Sequence, residues 1–85
     1  MEKAIIVSDQ CPSCKVLLDS LRQKGALEKY RVLDVNTPEG IDVAKKLGFN
    51  AVPECIVIVK TQEGEMARRC SEEEIKSILK EARGE

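Results

Sequence analysis

Ala4-Ile5-Ile6-Val7-Ser8-Asp9-Gln10-Cys11-Pro12-Ser13-Cys14 is the stretch whose reading decides the fold. Four consecutive apolar residues predict a strand over 3–7 that is covered on both faces. Ser8, Asp9 and Gln10 form a short polar loop. From Cys14 onward the apolar side chains recur at Leu17, Leu18 and Leu21, the i, i+3, i+4, i+7 spacing of an amphipathic helix. Pro12 suits the first turn of that helix, where its missing N–H costs nothing. Two cysteines separated by two residues therefore fall on a strand-to-helix junction.

That placement has chemical consequences. Sulfurs at this spacing on the first turn can close a disulfide. Cys11 lies near the free N–H groups and the positive dipole end of the helix, which stabilise a thiolate and lower its pKa below that of an ordinary cysteine. Cys11 is the expected nucleophile. Cys14, one turn inward, is expected to resolve the mixed disulfide. Lys15 could add to the effect on Cys11, although a lysine on a helix face ordinarily just meets solvent.

Outward from the junction, Lys24-Gly25 stops the first helix, and Tyr30 to Val35 reads as a second strand. Thr37 is the expected N-cap of a second helix, with Pro38 at its first position, Ile41, Ala44 and Leu47 as its buried stripe and Gly48 as its end. Asn50 to Pro53 is a break. Cys55 to Val59 is another apolar strand, Thr61 to Gly64 a turn, and Glu65 to Arg69 a short returning edge strand whose charges suit an edge that avoids pairing. Ser71 and Glu74 have capping-box spacing. Ile75, Ile78, Leu79 and Ala82 give a third stripe, and 83–85 read as a frayed tail. The expected order is β-α-β-α-β-β-α: one α/β domain spanning 1–85, with a four-stranded mixed sheet flanked by three helices.

Composition narrows the function. A chain of 85 residues buries only about 60–65% of its unfolded surface. Net charge −1, a single Phe, a single Tyr and no Trp offer neither a basic footprint nor stacking platforms, so no nucleic-acid role is expected. No apolar run is long enough for a membrane span or a signal-peptide core, so a cytoplasmic location is expected. In that reducing compartment four cysteines point to catalysis or metal binding more than to a structural framework. The absence of histidine excludes Cys-His pairs, Ser-His-Asp triads and imidazole-dependent zinc sites.

Taken together, the chain resembles the glutaredoxins and small thioredoxin-fold redoxins over essentially its whole length. Cys11-Pro12-Ser13-Cys14 resembles their active site, Val52-Pro53 their cis-proline segment, and Arg69-Cys70-Ser71 the segment before their last helix. The resemblance implies a thioredoxin fold and substrate contacts at Pro12, Ser13, Val52 and Pro53. The redox reading needs no cofactor beyond a redox-active Cys11–Cys14 disulfide, and no metal. The chain departs from glutaredoxins in having Ser8-Asp9-Gln10 where they carry a lysine, Arg68-Arg69 where they carry two glycines, and Val52 where they carry threonine. It also lacks the tryptophan and the Gly-Pro pair of thioredoxins.

The leading expectation is a monomeric thiol–disulfide oxidoreductase acting on disulfide-containing proteins or on mixed disulfides with a small thiol. Its electron donor would be glutathione or a thioredoxin-reductase-type flavoprotein. Cys55 and Cys70 are possible secondary thiols. Cys55 reads first as a small apolar core residue, and Cys70 at a helix N-terminus could be modified or join a second disulfide. The alternatives are a metal or iron–sulfur binding module using four thiolates, and a binding domain without catalysis.

Overall fold

In the computed structural model, residues 2–48 and 51–84 are described. The elements run β1 (Glu2–Val7), α1 (Pro12–Gln23), a 3-10 turn (Leu27–Lys29), β2 (Arg31–Asp34), α2 (Pro38–Leu47), β3 (Glu54–Thr61), β4 (Gly64–Arg69) and α3 (Glu72–Arg83). The architecture is α/β, with a four-stranded mixed sheet and three α-helices. The order differs from the expected one by the 3-10 turn, a piece too short to show an apolar period. It closes where the Tyr30 N–H donates to the Leu27 carbonyl at 3.0 Å. Asn50 of the expected break and Glu85 of the expected tail lie outside the described residues.

The strands lie in the order β2-β1-β3-β4. β1 runs parallel to β2 and antiparallel to β3, with Ile5 opposite Cys55, and β3 pairs antiparallel with β4, with Ile58 opposite Ala67. Alternation along β1 divides the core in two. Ile5 and Val7 join Cys14 and Leu21 of α1 and Ile78 of α3. Ala4 and Ile6 join Leu33, Ile56 and Ile58 under Val43, Ala44 and Leu47 of α2. Ile5, Ile6, Leu21 and Ile56 are almost fully buried, each contributing roughly 1.5–3 kcal/mol relative to exposure.

The helix ends follow the sequence signals. Thr37 Oγ1 accepts from the Gly40 N–H at 3.2 Å, and Gly48 takes a left-handed φ of 71° at the end of α2. Ser71 and Glu74 form the reciprocal capping box, at 3.3 and 2.8 Å.

Three expectations need correction. Ile41 is 41% exposed, and the inward face of α2 is Gly40, Val43, Ala44 and Leu47. A side chain at position 40 would meet the Asp34 carbonyl and approach the Val35 Cα to 2.9 Å. The stripe thus begins at a glycine, which hydrophobic patterning cannot register. Ile75 and Leu79 form an exposed rim on α3, where only Ile78 is fully inside. Arg83 belongs to α3, and Gly84 caps it at φ 81° instead of fraying. There α3 is also tied to the 3-10 turn. The Tyr30 hydroxyl donates to Glu81 at 2.7 Å and Lys29 lies 3.4 Å from the same carboxylate.

Candidate active site

Cys11 is the N-cap of α1, and its extended backbone ends the loop from β1. Its sulfur accepts from the Cys14 N–H at 3.1 Å and lies 3.3 Å from the Ser13 hydroxyl. The first turn of α1 carries no acidic residue, so nothing there neutralises the positive helix end. The Cys11 and Cys14 sulfurs are at disulfide distance, with their Cα atoms 5.2 Å apart. The two thiols are unequal. Cys14 is 1% exposed inside the α1/α3 half of the core, whereas Cys11 is only partly buried at its edge. An incoming disulfide can therefore reach Cys11 first.

Val52 and Pro53 come to the site from the start of β3. Their peptide bond is cis, and the Val52 carbonyl oxygen lies 3.7 Å from the Cys11 sulfur. Pro12 and Ser13 lie between the two cysteines on the first turn of α1, the Val52 carbonyl approaches Cys11, and Pro53 shares a hollow with Ser13. Pro53 also joins two apolar hollows. One, of about 120 Å³, is lined by Ile5, Leu17, Pro53, Cys55 and Ile78. The other runs between α1 and α3 past Ser13, Val16, Leu17 and Leu79. Val16 is 65% and Leu79 44% exposed on its rim.

No buried polar or charged residue occurs among the described residues. The carboxylates that share a hollow with Cys14 are the exposed Asp9 and the half-buried Asp34, which approach it from the surface side. Also among the described residues, no group of three or more potential ligands is placed to hold a metal. No described helix is long and apolar enough to cross a membrane.

Cys55 and Cys70 form a second pair at disulfide distance, with Cα atoms 5.3 Å apart. It links the buried start of β3 to the residue before the Ser71 cap, where the Cys70 N–H also donates to the Cys55 carbonyl at 3.0 Å. Both cysteines pack in the same half of the core as Cys14.

The sequence reading missed two acidic partners. Arg68 makes a two-pronged contact with Glu74, at 2.8 and 3.2 Å, and Arg69 meets Glu54 at 2.8 Å. The Arg68 guanidinium and then the Ser71 backbone N–H hold the Glu74 carboxyl down to about 2. The Tyr30 hydroxyl, more than Lys29, lowers Glu81. Comparison of the chain with protein-family models, with curated proteins and with solved structures finds no match.

Proposed function

We propose that the chain is a thiol–disulfide oxidoreductase of thioredoxin-like fold that reduces protein disulfides through Cys11 and Cys14. The observation that carries this reading is the asymmetry of the pair. An accessible sulfur caps a helix beside an N–H donor, and a buried sulfur sits one turn behind it. The Cys11 thiolate attacks one sulfur of a substrate disulfide. The substrate S–S bond breaks, the departing thiolate takes a proton from water, and a mixed disulfide forms. The Cys14 thiol loses its proton to solvent, and its sulfur attacks Cys11. The second substrate thiol leaves, and the Cys11–Cys14 disulfide forms. Two electrons pass from the protein dithiol to the substrate. A donor dithiol, or two molecules of a small thiol such as glutathione, returns them and is itself oxidised to a disulfide.

Polypeptide substrates suit the surroundings better than a small anionic thiol. The hollows beside Pro53 are apolar, and the Arg68 guanidinium is already held by both oxygens of Glu74. A reducing compartment such as the cytoplasm fits this direction of electron flow. The test is steady-state reduction of an insulin-type protein disulfide and of a glutathione mixed disulfide. Each is driven separately by glutathione with its reductase and by a thioredoxin reductase. Protein-disulfide turnover with at least one donor, lost in Cys11→Ser, is the expected result. Undiminished turnover by Cys11→Ser would overturn the reading.

A further inference from the structure

The outer edge of β4 has no part in the redox reading. β4 is last in the sheet and all six of its residues are exposed. Its pairing decides which backbone groups face outward. Only Gln62 and Glu63 separate Thr61 from its partner Gly64, so the hairpin closes on a pair that exchanges hydrogen bonds. At the far end the Cys70 N–H donates to the Cys55 carbonyl in the same phase. Gly64, Met66 and Arg68 therefore bond inward to β3. The N–H and C=O groups of Glu65, Ala67 and Arg69 point away from the sheet. No proline interrupts this run.

The charges on that edge have an order. Glu65 and Arg69 stand at equal distances on either side of Ala67 and share its face of the sheet. If a second copy approaches antiparallel about a two-fold axis at Ala67, Glu65 of each copy faces Arg69 of the other. The exposed Met66, at 67%, then meets the aliphatic stem of Arg68. An edge carrying one sign of charge repels its own copy, but this one complements itself. Among the described residues Glu65 makes no ion pair, and Arg69 retains further N–H donors beyond its contact with Glu54. The opposite edge is less open. On β2 the Asp34 carbonyl already accepts from the Thr37 N–H and hydroxyl, at 3.0 and 2.7 Å.

We propose that β4 is a self-recognition edge through which two copies of this chain join their sheets into one. Three pairs with two bonds each supply about six main-chain hydrogen bonds. Two of these go to the Arg69 carbonyls, which Arg68 already reaches at 3.2 Å. Two Glu65–Arg69 contacts fix the register. The buried area is small, so the dimer is weak and forms with rising concentration. The axis lies at the Glu2 end of the sheet, since Ala67 pairs with Ile58 and Ile58 with Glu2. Cys11, beyond the other end of β1, stays open in both copies. This departs from the monomer and the repelling edge expected from sequence. It does not depend on the redox reading.

Sedimentation of the full chain from micromolar to millimolar concentration tests it, with amide exchange read at Glu65, Ala67 and Arg69. Dimer formation should protect those three amides together. Glu65→Arg, which places like charges opposite each other twice, should weaken dimerisation at least about tenfold while leaving thermal stability and thiol exchange unchanged. Adding Arg69→Glu should recover much of the loss. A wild-type chain that stays monomeric at millimolar concentration, or a dimer indifferent to Glu65→Arg, would overturn the proposal.

Discussion

The Cys14 backbone N–H points at the sulfur of Cys11 from 3.1 Å, so the residue that would resolve the reaction also steadies the nucleophile. This contact arises because Cys11 is the cap of α1 and Cys14 its third helical residue. Serine or asparagine takes the same role in ordinary helix caps. Negative charge on the sulfur strengthens the contact, as for any charge-assisted hydrogen bond.

After full reduction, Cys11 should therefore be alkylated at neutral pH at least about ten times faster than Cys14, through both exposure and thiolate stabilisation. Mass spectrometry of partly alkylated protein separates the two sites. Equal rates would contradict the assigned order of attack.

The apolar rim gives a second prediction. Val16→Glu or Leu79→Glu should lower kcat/KM for a protein disulfide by roughly tenfold and leave a small symmetrical disulfide nearly unaffected. Both side chains are substantially exposed, so melting temperatures should change little. An equal loss on both substrates would remove the rim from substrate recognition.

Among the described glycines, Gly40 has the least room for a side chain. A Cβ there would drive into the Asp34 carbonyl, which is backbone and already bonded to Thr37. Gly40→Ala should cost about 3 kcal/mol, read as a lowered denaturation midpoint. A neutral result would mean that α2 can shift freely over β2.

How much of this was legible in the sequence varied with its physical origin. β1, α1 and the cysteine pair were plain because an unbroken apolar run, a polar loop and a helical period succeed one another without ambiguity. The capping box at Ser71 was equally readable, since its chemistry is local. The inward face of α2 was misread because it starts at a glycine. The 3-10 turn at Leu27–Lys29 was invisible because three residues carry no period. Pairing of Cys55 with Cys70 depends on the β3–β4 hairpin returning the chain to its starting point, a long-range outcome that spacing alone leaves open.

Acid should weaken the β4–α3 corner first. Glu74 is held from its ordinary value of 4.5 down to about 2 by Arg68 and the Ser71 N–H. A depressed carboxylate contributes stability that is complete above the unfolded value and is lost as pH falls through the folded one. The contribution should accordingly fade between about 4.5 and 2. Glu74→Gln should flatten that part of the melting temperature against pH, and Glu81, lowered by Tyr30, should account for part of the remaining slope. An unchanged acid limb in Glu74→Gln would contradict the assignment.

The central claim is that Cys11 attacks and Cys14 resolves, and trapping tests it most directly. Reduced Cys14→Ser protein, mixed with a disulfide-bonded polypeptide and analysed by non-reducing electrophoresis and mass spectrometry, should accumulate a mixed disulfide through Cys11. Cys11→Ser should accumulate none. A stable adduct through Cys14 in the Cys11→Ser protein, or no adduct in either variant while the wild type turns over, would contradict the account.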